Sequence, residues 1–217
     1  MKVEDKIYTA LCVLFAVLIV VGNLIYQKFV FLPIFSFYTF ELSAGAITYP
    51  LTFFLTDLIA EFYGKDKANF CVKLAISMNI IIATVIVMMD KFNATEWSKI
   101  DNATFHNVFG LYSVAFVGSI VGCYIAQLID ITIYLWIRKL THGKWLWLRN
   151  NGSTAISLFV DTCIVISFMS IFGVLPIDRM WILIINSYLF KLFFTICSTP
   201  LFYISVRMTR YALKHDT

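Results

Sequence analysis

The ionisable side chains that lie inside long apolar stretches are the residues of this sequence best suited to chemistry. Asp57 and Glu61 share one such stretch, while Asp130, Asp161 and Lys191 each lie in another. A charge at the centre of a lipid bilayer costs about 2.5–3.5 kcal/mol on insertion scales, so a chain keeps one there for a polar ligand, an ion or a charge partner. These side chains therefore indicate a polar site within a membrane.

Asp57 and Glu61 are four residues apart, which brings both carboxylates to one face of a helix. Like charges at that spacing repel, so the pair requires a cation, a proton or a polar ligand between them, or a positive partner such as Lys191 or Arg149. Phe53 lies one turn earlier on the same face and is therefore expected to border this site. This face therefore predicts a binding site for a polar solute.

Two further polar stretches are expected to join this site. Gln127 and Asp130 are three residues apart and form a polar stripe on a third helix. Arg149, Asn150 and Asn151 come just before another apolar run, where a helix N-terminus presents free N–H groups and the positive end of its dipole. Amide and guanidinium groups at such a position bind a polar ligand or a carboxylate.

The composition of the whole chain fits a protein embedded in a membrane. Of its 217 residues, 60% are hydrophobic and only 14% are charged, and the mean hydropathy is +0.84. At roughly 20 apolar residues for each crossing, the chain accommodates six transmembrane helices and leaves too little for a separate soluble domain. We expect an all-α, polytopic membrane protein in which residues 1–217 form a single transporter-sized domain. The predicted helices are 7–26, 44–63, 68–89, 109–137, 154–173 and 181–206.

The segment 29–40, between the first two predicted helices, is apolar but short. It contains Pro33 and is followed by Glu41 and Ser43. Because a crossing requires about 20 apolar residues, this segment is too short to span the bilayer. We expect a short re-entrant or interfacial segment here.

The loop charges predict the orientation, because Lys and Arg residues next to membrane spans stay on the cytoplasmic side. Of the 17 Lys and Arg residues, 11 fall on the side of the two termini and four on the other side. Both termini are therefore expected in the cytoplasm. Lys191 then lies near the midplane, and the acidic groups lie in the cytoplasmic half with Gln127. One polar cavity on or below the midplane explains this arrangement, and purely structural pairing of Lys191 with Asp161 is the alternative.

Other classes of function lack their usual motifs. The sequence contains no GxxxxGK[ST], HExxH or GxSxG pattern, and His106, His142 and His215 lie outside the predicted spans. We therefore expect no enzyme activity, no cofactor and no metal site. The basic residues flank spans in the manner of positive-inside residues, so contact with nucleic acid is not expected.

Gly118, Gly122 and Ala126 form a ridge of small residues along one face of the predicted fourth helix. Such a ridge lets a second helix approach closely. The partner is either another helix of the same chain or a second copy, so the ridge also offers a surface for a homodimer.

Several stretches taken together resemble the queuosine precursor transporter family, also described as the vitamin uptake transporter or YhhQ family. Residues 43–65 read SAGAITYPLTFFLTDLIAEFYGK, residues 127–130 read QLID, and residues 148–154 read LRNNGST. Asp161 with Thr162, and Lys191 with Thr199 and Pro200, complete the ordered set. The resemblance covers the second to the sixth predicted helix.

The resemblance implies an inner-membrane importer of 7-deazaguanine bases, such as 7-cyano- or 7-aminomethyl-7-deazaguanine or queuine, for the queuosine modification of tRNA. A carboxylate from Asp57, Asp130 or Asp161 suits the donor-rich edge of such a base, and Lys191 or the amides of Asn150 and Asn151 suit its carbonyl.

Two questions stay open at the level of the sequence. The first is whether the chain works alone or is a substrate-binding subunit of an energy-coupling-factor type vitamin importer, which would copurify with an ATPase. The second is whether a chain that works alone is driven by protons, by sodium ions or by the concentration gradient of the base.

Overall fold

The computed structural model describes residues 2–35, 38–110 and 112–214 and consists almost entirely of helices. Five of the described helices are long and apolar enough to cross a membrane, which confirms the all-α, polytopic class. The helices are α1 (Val3–Ile25), α2 (Ala44–Thr48), α3 (Pro50–Met89), α4 (Asn102–Phe105), α5 (Tyr112–Leu140), α6 (Leu146–Ile171) and α7 (Met180–Lys214). Two strands, β1 (Phe29–Phe35) and β2 (Tyr38–Ser43), lie between α1 and α2.

The third predicted span and most of the second lie in the single element α3, which is broken at Gly64. Gly64 has φ 80° and ψ −178°, outside the helical region, so α3 has a first arm (50–63) and a second arm (65–89). A straight helix of this length would extend about 60 Å, roughly twice the thickness of the hydrocarbon core.

Contacts at one end of α1 locate the Gly64 corner. The Tyr63 hydroxyl donates to the Glu4 carbonyl oxygen at 3.0 Å, and the Tyr8 hydroxyl donates to the Lys67 carbonyl oxygen at 2.9 Å. The residues on both sides of Gly64 therefore lie beside the beginning of α1.

Contacts at the other end of α1 show that the two arms fold back on each other. Gly45, just before the first arm, packs so closely on α1 that an added Cβ would lie 2.5 Å from the Gly22 carbonyl oxygen. Asn79, in the second arm, accepts a hydrogen bond from Asn23 at 3.1 Å. The arms therefore run in opposite directions along α1 and serve as two crossings, so the chain crosses six times, as predicted.

The remaining long helices also run in alternating directions through the bundle. Ser119 near the start of α5 bonds Asn23, whereas Tyr134 near its end bonds Glu61. We call the side that holds the start of α1, Gly64 and the α5–α6 connection the termini side, and the opposite side the hairpin side. On the termini side, the Tyr203 hydroxyl of α7 accepts a hydrogen bond from the backbone N–H of Trp147 at the start of α6, at 3.1 Å.

The segment predicted as re-entrant or interfacial is a β-hairpin, a form that was not predicted. β1 and β2 pair antiparallel, with Phe29 opposite Ser43. Aromatic and β-branched side chains favour this extended form. Phe40 and Leu42 are buried on one face of β2, and the Phe40 ring packs edge-on against Phe190 of α7 with 5.9 Å between centroids. The hairpin is therefore anchored on α7.

The ridge of small residues on α5 is used within the chain. A Cβ on Gly118 would lie 2.5 Å from the Phe168 ring, and one on Gly122 would lie 2.7 Å from Val165. Ala126 is fully buried as well. These residues pack against α6, so the ridge is not a free surface for the homodimer that the sequence suggested.

The conformation of Gly64 generates a stability prediction. Replacement Gly64→Ala is expected to lower the free energy of unfolding by about 1–3 kcal/mol, because this region of φ and ψ is accessible almost only to glycine. An added Cβ at Gly64 would have no atom within 4 Å, so the loss would be conformational and not steric. Thermal unfolding of the purified protein in detergent measures the change.

Gly152→Ala is the matched control. Gly152 lies inside α6, where an added Cβ would meet Ile137 at 3.4 Å, and alanine is the better helix former. A Gly64→Ala protein as stable as the Gly152→Ala protein would contradict the role of the corner.

Candidate functional site

Buried polar side chains follow one another through the interior in three groups, from the hairpin side to the termini side. The floor pair is Asp161 with Lys191, the carboxylate cluster is centred on Asp57 and Asp130, and the arginine cluster is centred on Glu61 and Arg149. The order follows α3, since Tyr49 contacts the first group, Asp57 lies in the second and Glu61 in the third. All three groups also use side chains of α6.

The floor pair is a buried ion pair with additional hydrogen bonds. Lys191 Nζ donates to Asp161 Oδ2 at 2.9 Å and to Thr162 Oγ1 at 3.1 Å. The Tyr49 hydroxyl donates to Asp161 Oδ1 at 2.7 Å, and Lys191 Nζ also lies 4.6 Å above the centre of the Tyr49 ring. These bonds connect α7, α6 and the α2–α3 junction.

A cavity extends from the floor pair toward the hairpin side. Its volume, counted as the space open to the centre of a water molecule, is about 90 Å³. Phe29, Ser43 and Leu175 line it on the hairpin side, and Asp161 with Lys191 lines it in the interior. The wall combines aliphatic side chains with a few polar groups, which is typical of a small-molecule site.

Asn23 and Ser119 add a second polar corner to this cavity. The Ser119 hydroxyl donates to Asn23 Oδ1 at 2.6 Å, and Asn23 in turn donates to Asn79. Asn23 and Asn79 are buried in apolar helices. Neither residue was predicted to join the site, although an amide within an apolar run also requires a partner.

The carboxylate cluster is fully enclosed behind the floor pair. Asp57 and Asp130 have no exposed surface, and Asn150 of α6 donates to Asp57 Oδ2 at 2.6 Å. Ser157, two turns further along α6, donates to Asp130 Oδ1 at 3.0 Å. Neither aspartate lines the cavity.

Gln127 and Phe53 lie between these two groups. Gln127 accepts a hydrogen bond from Thr56 at 2.8 Å and donates to Thr52 at 3.3 Å, which ties α5 to the first arm of α3. Phe53 is fully buried and packs edge-on against Tyr49 with 5.5 Å between centroids. Phe53 therefore supports the cavity wall from behind instead of facing the cavity.

The arginine cluster closes the interior toward the termini side. Arg149 Nη2 lies 2.8 Å from Glu61 Oε1, and both side chains are at least 93% buried. Tyr134 donates to Glu61 Oε2 at 3.1 Å, and Arg138 donates to the Glu61 carbonyl oxygen at 2.9 Å. Asn151, in contrast, faces α7 and bonds Thr199 at 2.9 Å.

The single polar cavity expected from the sequence is thus divided. Asp161 and Lys191 line the cavity, whereas the other acidic residues lie in two closed groups between the cavity and the termini side. Arg149 offsets Glu61, as the spacing of Asp57 and Glu61 required, and the ion pair expected as the alternative for Lys191 and Asp161 is also present. Among the described residues, no group of three or more His, Cys, Asp or Glu side chains is placed to hold a metal ion.

The "putative vitamin uptake transporter" family model matches residues 43–205. A protein of Bacillus subtilis named "probable queuosine precursor transporter" is 30% identical over 165 residues, which are 76% of this chain and 71% of that protein. A protein of Haemophilus influenzae with the same name is 24% identical over 130 residues, 60% of this chain and 52% of that protein. No solved structure matches.

The arginine cluster generates a prediction about stability. Arg149→Met is expected to lower the free energy of unfolding by about 3–5 kcal/mol, because it removes the buried partner of the Glu61 carboxylate and leaves only the longer contact with the partly exposed Arg138. The double variant Glu61→Gln, Arg149→Met should be more stable than Arg149→Met, since it removes both charges. Thermal unfolding in detergent compares the proteins.

The control is Arg138→Met, whose side chain is 39% exposed and lies 3.7 Å from Glu61. An exposed ion pair contributes at most about 1 kcal/mol, so this variant should differ little from the wild type. Equal losses in the single and double Arg149 variants would show that the ion pair is not what holds the termini side together.

Proposed function

Because the chain belongs to the putative vitamin uptake transporter family, we propose that it carries queuosine precursors, 7-deazaguanine bases, into the bacterial cell. The observation that carries this proposal is the cavity with Asp161 and Lys191 in its floor. The names of the two relatives supply the class of substrate. The protein is a multi-pass membrane protein, and the transport direction and the identity of the base are part of the proposal.

The floor pair has the chemistry to bind the edge of such a base. A 7-deazaguanine base presents N–H donors next to a carbonyl acceptor on one edge. The Asp161 carboxylate accepts from those donors, and the Lys191 ammonium group donates to the carbonyl. Each Asp161 oxygen already accepts one bond within the protein, and each has a second lone pair for the base.

The rest of the cavity suits a flat ring with a polar substituent. Tyr49 and Phe29 line the cavity and present aromatic surface for stacking. We assign the substituent at the 7-position to the corner formed by Asn23 and Ser119. Glu61 does not line the cavity and is paired with Arg149.

Transport requires the path to open on the termini side. The carboxylate cluster and the arginine cluster close that side in this structure, while the cavity extends to the hairpin side. With the termini in the cytoplasm, this is an outward-facing arrangement. Release of the base into the cell then requires Arg149 of α6 to separate from Glu61 of α3.

Uptake measurements test the role of the floor pair. Asp161→Asn and Lys191→Met are each expected to lower the uptake of labelled base by about tenfold or more, because each removes a charge-assisted hydrogen bond worth about 1.5–3 kcal/mol. Purified protein in liposomes, with 7-cyano- and 7-aminomethyl-7-deazaguanine and queuine in competition, identifies the preferred base.

The controls repeat the same changes of charge outside the cavity. Asp178→Asn lies in the exposed turn before α7, and Lys73→Met lies on an exposed face of the second arm of α3. Both should retain uptake. Unchanged uptake in Asp161→Asn and Lys191→Met would remove the floor pair from the binding site.

Reporter fusions test the orientation. The excess of Lys and Arg on the termini side predicts that a fluorescent protein fused after residue 217 folds and fluoresces. Alkaline phosphatase, which is active only outside the cytoplasm, should be inactive at the same position and active when inserted in the loop between α3 and α4. The opposite pattern would reverse the orientation and make the cavity face the cytoplasm.

A further inference from the structure

The charges buried in the interior do not balance. Four carboxylates, Asp57, Glu61, Asp130 and Asp161, are buried, and among the described residues two of them, Glu61 and Asp161, have a cation within ion-pair distance. Arg149 pairs with Glu61 and Lys191 pairs with Asp161. For Asp57 and Asp130, the part of the chain that the structure describes contains no Lys, Arg or His within ion-pair distance. Two buried negative charges without a positive partner are strongly unfavourable in an apolar interior.

The same cluster contains buried oxygen atoms without hydrogen-bond partners. Within the described residues these are Asp57 Oδ1, Asp130 Oδ2, Asn150 Oδ1, Ser153 Oγ and Thr154 Oγ1. Each of these side chains is at most 2% exposed. Buried polar groups normally have partners, so five such oxygen atoms in one cluster indicate a missing ligand.

Four of these side chains lie beside one another, and the fifth is hydrogen-bonded to one of them. The Asp130 carboxyl group lies beside the hydroxyl groups of Ser153 and Thr154 and beside the Asp57 carboxyl group. Asn150 is held on Asp57 by the bond to Oδ2. Three of these residues come from α6, one from α3 and one from α5.

The chemistry of the cluster defines the class of ligand. An all-oxygen set with two negative charges prefers a small, hard cation. Divalent ions such as Ca²⁺ take about 6–8 oxygen ligands, more than the cluster offers, and the described residues supply no third carboxylate here. We propose that Asp57, Asp130, Asn150, Ser153 and Thr154 form a binding site for one monovalent cation, Na⁺ or a proton, whose occupation is coupled to movement of the base.

The position of the cluster explains how a cation would be coupled to transport. α6 contributes Asp161 to the cavity floor and Asn150, Ser153 and Thr154 to the cation site. α3 contributes Asp57 about two turns beyond Tyr49, which bonds Asp161. A bound cation holds α3, α5 and α6 together, whereas an empty site leaves two facing carboxylates that repel. Loss of the cation to the cytoplasm therefore favours separation of the helices that close the termini side.

Uptake into proteoliposomes tests this coupling, which rests on the proposed transport of the base. One arm applies an inward Na⁺ gradient at equal pH on both sides, and the other applies an inward proton gradient without Na⁺. One of the two gradients should raise the rate of base uptake by about fivefold or more.

Asp130→Asn should lose this stimulation but still exchange labelled for unlabelled base, because its side chain does not line the cavity. Asp178→Asn, in the exposed turn before α7, should keep the stimulation.

Ser153→Ala and Thr154→Val provide variants that change no charge and remain compatible with the helix. Each removes one ligand oxygen, so a Na⁺-driven protein should require a higher Na⁺ concentration for half-maximal uptake. A proton-driven protein should instead reach half-maximal uptake at a higher external pH, because each variant removes a hydroxyl group that stabilises the charged carboxylate. Base uptake at saturating cation should stay near that of the wild type. An unchanged cation dependence in both variants would overturn the assignment of these ligands.

Two outcomes separate failure of the cation site from failure of the proposed function. Base uptake that neither gradient changes, or stimulation that persists in Asp130→Asn, overturns the cation site and leaves transport of the base intact. If the wild type carries no 7-deazaguanine base, cation binding is still decided by thermal unfolding. The unfolding temperature is compared in Na⁺ and in choline buffer, and at neutral and lower pH. Na⁺ or the lower pH should raise it more for the wild type than for Asp130→Asn. Equal increases in the two proteins would overturn the site.

Discussion

The structure depends on the need to offset charges that are buried among apolar helices. Glu61 and Asp161 each have a cation within 3 Å, and each of these pairs joins two helices. Glu61 with Arg149 joins α3 to α6, and Asp161 with Lys191 joins α6 to α7. In an interior of low polarity, removing either partner would leave a buried charge, so the pairs determine how the helices are rotated toward one another. α6 takes part in both pairs.

Two backbone features make these pairs geometrically available. The break at Gly64 turns the second arm of α3 back along α1, so the first arm ends on the termini side, beside the start of α1. Gly118 and Gly122 let α5 lie close against α6, which brings Asp130 to Ser157. With larger residues at these positions, α5 and α6 would separate by the size of a side chain and the polar contacts between them would lengthen beyond hydrogen-bond distance. The small residues thus serve the interior of one chain.

The order of the polar groups along the bundle relates the cavity to its closure. The floor pair faces the open space, the carboxylate cluster follows it, and the arginine cluster lies nearest to the termini side. A solute in the cavity and an ion in the carboxylate cluster would therefore both act on α3 and α6, the helices that close the path. This shared use of two helices is a physical basis for coupling, because a change at one group alters the packing at the next.

The sequence by itself determined the membrane environment, the six crossings and the short set of side chains that carry polar chemistry. These properties follow from local composition, since the free-energy cost of burying a charge, or of exposing a long apolar helix to water, is the same in any fold. The resemblance in residues 43–65, 127–130 and 148–154 also indicated the family that the comparison established.

Only the tertiary structure decided which of these side chains meet. Asp57 and Glu61 share a helix face, yet one lies with Asp130 and the other with Arg149, because the partners come from α5 and α6 at different heights. The same packing excluded Phe53 from the cavity, brought in Tyr49 and Asn23, and converted a short apolar segment into a hairpin on α7. Such distances depend on the rotation and offset of whole helices, and residue spacing within one helix contains no information about either.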